Sequence, residues 1–111
     1  MDKIVFKVQG SALEPYEVVF IKRSAIKFSA FCSCPAGLRG QNCKHKVLIL
    51  DGVTKGITSQ NIQQVEIIQS WLPGTEVDDA LKKVQVLEND MKNIKNLLSA
   101  AKKNLAKEMR D

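Results

Sequence analysis

Apolar and polar residues alternate along the first third of the chain. KIVFKV, at 3–8, places Ile4, Phe6 and Val8 at every second position. That period sets them on one side of an extended chain. GSALEP then supplies the Gly, Ser and Pro of a turn. YEVVFIK and AIKFSAFC follow, rich in β-branched and aromatic residues and separated by Arg23-Ser24. Three short antiparallel strands are predicted, with Ile26, Phe28, Ala30 and Cys32 on one face of the third.

The pattern then changes. PAGLRGQN, with two glycines and a proline, is predicted to be a loop. CKHKVLILDG reads as a short helix closed by Gly52. After VTKGITS, the segment QNIQQVEIIQSW spaces Ile62, Val65, Ile68 and Trp71 along one stripe of a second helix, which Pro73-Gly74 ends. Thr75-Glu76-Val77-Asp78 resembles a capping box opening a third helix that meets no Gly or Pro before the chain ends. The expected class is α+β: a small three-stranded antiparallel sheet with a ββα metal unit, over 1–55, and a helical region, over 59–111.

Within the third helix, Val77, Ala80, Val84, Leu87, Met91, Ile94, Leu98, Ala101 and Leu105 alternate in steps of three and four, the spacing of a heptad. One helix from Thr75 to Arg110 would run roughly 50 Å, longer than a small domain can cover. Two partners are open. The preceding helix can fold back to form a hairpin with Trp71-Leu72 at its corner, or a second chain can form a coiled-coil dimer. Ala80 and Ala101 weaken a zipper seam, while Leu81, Leu97 and Met109 widen the stripe. Self-association is the favoured expectation.

Charge adds a location. Of the net +5, all lies before Ser59: nine Lys and Arg against four Asp and Glu, followed by eight of each. Between Glu17 and Asp51 there is no acid, but Lys22, Arg23, Lys27, Arg39, Lys44 and Lys46 are present. No stretch approaches the roughly 20 apolar residues of a membrane span. The alternating N-terminus lacks a signal peptide's apolar run. An intracellular place is expected, in the cytoplasm or, in a eukaryote, the nucleus, with cysteines reduced.

All three cysteines and the only histidine fall within CSCPAGLRGQNCKH, at 32–45. Cys32, Cys34, Cys43 and His45 form the Cys3His set that tetrahedral structural zinc takes. On a regular strand, Cys32 and Cys34 point to one face past Ser33. Cys43 and His45 cannot share a helix face two residues apart. Cys43 is therefore placed just before the helix, at the positive end of its dipole, and His45 in the first turn. Small buried core residues, a cysteine nucleophile with a histidine base and an iron–sulfur cluster are the rival readings. The first two leave the clustering or the missing oxyanion site unexplained, and the third usually takes four cysteines. One Zn2+ per chain is expected, with all four positions filled and none left for a reactive water.

Cys-x-Cys, a gap, then Cys-x-His entering a helix after short strands resembles the SWIM-type zinc finger. The resemblance covers roughly Tyr16 to Leu50 and rests on CSCPAG and CKHKVLIL. It implies a ββα zinc unit with Cys32, Cys34, Cys43 and His45 as ligands, and a role in binding DNA or proteins. The basic field favours nucleic acid, DNA or RNA, held through phosphates by Lys22, Arg23, Lys27, Arg39, Lys44 and Lys46. Lys44 and Lys46 at a helix start would add backbone N–H groups. Phe31, opposite Cys32, could stack on a base, although a core place is the more ordinary one. No recognition helix rich in Arg, Asn and Gln stands out, so binding is expected to be weakly selective. The alternative is a protein-interaction adaptor using the C-terminal helices. Neither reading makes the chain an enzyme.

Overall fold

The computed structural model describes residues 2–110. It is an α+β protein: β1 (Lys3–Val8), β2 (Tyr16–Ser24) and β3 (Lys27–Cys32) precede helices α1 (Pro35–Leu38), α2 (Lys44–Leu50), α3 (Val65–Trp71) and α4 (Glu76–Glu108). The three strands form one antiparallel sheet in sequence order. Ile26 does not join the third strand as predicted. The β2–β3 register shifts between Lys22 and Ser24, the strand starts at Lys27, and Ile26 stays in the turn, 69% exposed. A bulge of this kind re-aims the side chains around it.

One face of the sheet is the core face. Ile4, Phe6, Val8, Val18, Phe20 and Phe28 are buried there, as the alternation requires. Phe20 stands between Phe6 and Phe28, with ring centroids 6.1 Å and 6.4 Å away, and Phe28 continues to Trp71 at 6.2 Å. The helical segments supply Ile49, Leu50, Val65, Ile68, Trp71 and Leu72 to the same core. Ile62 remains outside it, because the chain is still in a 3-10 turn there and enters α3 only at Val65.

The free edge of β1 is closed by residues 56–61. Gln9 N–H donates to Gly56 O (2.8 Å), Thr58 N–H to Lys7 O (2.7 Å) and Asn61 Nδ2 to Val5 O (2.8 Å), alongside a Val8–Ile57 bridge. An unpaired row of edge groups is thereby satisfied.

Helix ends follow their sequence signals. α2 closes in a Schellman motif: Gly52, at φ +85°, donates to Ile49 O, and Val53 donates to Leu48 O. α4 opens on buried Thr75, whose Oγ1 accepts from Asp78 N–H (3.1 Å). The compact sheet-and-helix unit runs through Asp78, and α4 from Asp79 onward is a separate unit. Among the described residues, no helix is long and apolar enough to cross a membrane.

Candidate metal centre

Each ligand residue is delivered by the end of an element. Cys32 is the last residue of β3 and pairs with Val18. The pairing persists one residue further: Ser33 N–H donates to Glu17 O (3.0 Å), and Ser33 Oγ accepts from Glu17 N–H (2.8 Å). That second tie holds the chain extended up to Cys34, which caps α1. The segment predicted as loop thus contains one helical turn, Pro35–Leu38. Pro35 at its first position suits a helix start, where the missing N–H has no helical partner to lose. Cys43 is the N-cap of α2 and His45 lies in its first turn, as the spacing predicts.

Cys32, Cys34, Cys43 and His45 are all buried, and one potential ligand atom from each lies within 4.8 Å of the others. His45 Nδ1 is 3.7 Å from Cys32 Sγ. A tetrahedral centre with metal–S and metal–N bonds of about 2.3 Å and about 2.0 Å has S–N edges near 3.5 Å and S–S edges near 3.8 Å. The ring's other nitrogen, Nε2, is buried with no hydrogen-bond partner among the described residues. Ordinary core histidines spend their polar atoms on protein partners. Three sulfurs and an imidazole converging this closely fit one metal ion.

Protonation fits as well. Burial pushes the Cys32 thiol up to about 12; a hydrogen bond from the Cys34 backbone N–H opposes the rise, and the Cys34 and Cys43 side chains add to it. Burial also acts upward on Cys34, but hydrogen bonds from the Gly37 and Ala36 backbone and from the other two cysteines outweigh it and hold that thiol below its ordinary value. The Gly37 N–H to Cys34 Sγ bond is 3.3 Å. Burial, with Lys44 beside it, lowers His45 and keeps its imidazole neutral. A metal entering here displaces a proton from Cys32 and meets a histidine already able to ligate.

Two glycines outside the Cys/His pattern shape the site. A Cβ on Gly37 would lie 2.3 Å from Cys32 O and 2.9 Å from its carbonyl carbon, both backbone atoms with little room to yield. A Cβ on Gly10 would lie 2.5 Å from the Tyr16 ring and 3.1 Å from His45 Nε2. Tyr16 covers the imidazole, with centroids 5.1 Å apart. Gly37 closes the CSCPAG segment that carries the resemblance, whereas no local motif marks Gly10, whose close neighbours come from β2 and α2. Gly37→Ala is expected to destabilise the metal-loaded protein by about 1–3 kcal/mol, as overpacked sites do. A thermal melt together with a chelator competition checks this, and an unchanged midpoint in both rules out the crowding.

The basic residues do not form one field. Lys22, Arg23 and Lys27 sit at the β2–β3 turn, whereas Arg39 caps α1 and Lys44 and Lys46 lie in α2 beside the metal ligands. Four residues of strand, roughly 13 Å, separate the Val18–Cys32 pair from Lys22–Phe28. Lys22 turns toward the core face, its Nζ 6.0 Å from the Trp71 ring centre. Phe31, for which the sequence favours a core place, is 53% exposed. It completes a cross-strand row with Val5 and Val19 on the sheet's outer face. Alternation puts Lys3, Lys7, Arg23 and Lys27 on that face too, with Glu14 and Glu17 at the end nearest the cysteines. Lys3 and Lys7 lie outside the acid-free stretch between Glu17 and Asp51.

No family model, no curated protein and no solved structure matches this chain.

Proposed function

We propose that this chain is a zinc-binding module of the SWIM type, that its zinc is structural, and that it binds nucleic acid without strong sequence preference. The observation that carries the metal reading is the convergence of four buried ligand atoms within 4.8 Å. The all-thiolate-and-imidazole set selects zinc over oxygen-preferring cations. Four protein ligands would fill the coordination sphere and make the ion a structural staple, and on this reading the chain acts by binding.

The nucleic-acid reading rests on the outer face of the sheet. Phe31 is exposed on a face that carries Lys3, Lys7, Arg23 and Lys27 along its length, with Glu14 and Glu17 beside the ring. An exposed aromatic on a cationic face can stack an unpaired base while the cations track its phosphates. Phe31, Arg23 and Lys27 carry it from the sequence, and Lys3 and Lys7 join them through the strand register. Lys22, Arg39, Lys44 and Lys46 add to the long-range positive potential.

Fluorescence anisotropy with a labelled single-stranded oligonucleotide tests this. Affinity is expected to fall steeply with salt, with a log–log slope of about −0.7 for each phosphate contacted. Phe31→Ala is expected to cost about 1–3 kcal/mol of binding, the usual value of one stacked base. Absence of binding at low salt would sink the nucleic-acid reading and leave the metal reading intact.

A further inference from the structure

From Asp79 to Arg110 no side chain of α4 is buried. The heptad stripe lies open, from Val84 at 38% exposure to Ile94 at 63%. Seam spacing sustained over four heptads with charged flanks is the pattern of a coiled coil. Counting from Val77 as position a, the seam holds Val84, Met91, Leu98 and Leu105 at a and Leu87, Ile94 and Ala101 at d.

We propose that α4 pairs with the α4 of a second copy of this chain, as a parallel, in-register, two-stranded coiled coil. The charges flanking the seam commit it to that occupant and direction. The g positions hold Lys83 and Asp90, and the e positions hold Glu88 and Lys95. In a parallel pair, each g residue faces the e residue five places further along the other helix. Lys83 then meets the partner's Glu88, and Asp90 meets the partner's Lys95. Symmetry repeats both contacts, so four opposite-charge pairs line the central heptads.

Asp90 and Lys95 also lack a local use. Three and four residues from Asp90 stand Val86, Leu87, Asn93 and Ile94; around Lys95 stand Met91, Lys92, Leu98 and Ser99. Neither has an opposite charge within reach on its own helix. A fully overlapped antiparallel pair would keep Glu88 opposite the partner's Lys95 but set Asp90 against the partner's Leu97, so two of the four charge pairs would be lost. Val84 at a with Leu87 at d is the combination that favours two strands, whereas Met91 with Ile94 and Leu98 with Ala101 do not repeat it. The inference is independent of the metal and of nucleic acid.

The experiment is sedimentation equilibrium on the full metal-loaded chain, with the charge-reversed variants Asp90→Lys and Lys95→Asp. The wild type is expected to be a dimer at about 100 µM. Each variant alone places like charges opposite one another twice, which is expected to raise the dimer Kd on the order of ten-fold. An equimolar mixture of the two variants restores opposite charges at both contacts and is expected to return to wild-type affinity. A single chain at 100 µM, a trimer, or variants whose affinities do not change and do not recover on mixing would each overturn the proposal.

Discussion

Stripping the metal with a strong chelator is expected to unfold the region from β2 through α2. Structural zinc in small finger peptides is worth on the order of 10–16 kcal/mol at neutral pH, comparable to the whole stability of an ordinary domain. Without it, three buried sulfur groups and an imidazole face one another with few protein partners, and a β-rich unit of this size has little core in reserve. The readouts are loss of circular dichroism and loss of amide protection around 16–50, with α4 retaining its helical signal if it is paired. Thiol alkylation gives an independent measure: Cys32, Cys34 and Cys43 should resist it until the chelator is added. A metal-free sample with an unchanged melting curve would end the structural role. The pH dependence has a definite sign. His45 is lowered from its ordinary 6.5, so in the metal-free protein its contribution is present above that pH and is lost as pH falls through its folded value. Cys32 acts the other way. It stabilises the metal-free fold below its ordinary 9.0, and that contribution is lost as pH rises toward about 12.

Phe20→Ala is expected to cost about 3–5 kcal/mol, the range for deleting a buried phenyl ring. Phe20 is fully buried on the central strand, between the rings of Phe6 and Phe28. Its loss opens a cavity where all three strands meet, two positions from the Val18 that pairs with Cys32. Because metal binding and folding are coupled, the same free energy should appear in the metal affinity. Apparent zinc affinity should therefore weaken roughly a hundred- to a few-thousand-fold, although Phe20 touches no ligand. A melt and a competition titration on one sample would show both losses. Lower stability with wild-type zinc affinity would mean that the sheet and the metal site fold independently.

How far the sequence led depended on how local each feature was. The strands and α4 were legible because their hydrophobic periods are long and regular. The metal ligands were legible because three cysteines and a histidine in so short a stretch leave few alternatives. The positions of Cys43 and His45 followed from helix geometry alone. The one-turn helix at Pro35–Leu38 did not, since four residues with two helix-disfavoured types carry no periodic signal. Gly10 was invisible, and Gly37 was visible only as part of CSCPAG without its reason: what makes them necessary is a carbonyl and a ring brought close by folding. Phe31 misled because an aromatic on a strand is usually buried, and only the absence of packing on the outer face leaves it open. The basic residues are near one another in the chain, but the β2–β3 hairpin carries half of them to its far end.

The four ligands lie between positions 32 and 45, whereas the ties that close the β1 edge reach from Val5 to Asn61 and from Lys7 to Ser59. A loop this short closes on a timescale of about 10–100 ns, while distant pairings form later and more slowly. During synthesis, everything that grips the ion leaves the ribosome before residues 56–72 do. On the zinc reading, the nascent chain can therefore capture a metal while the edge of the sheet is still open, and the last segment would arrive at a scaffold already set.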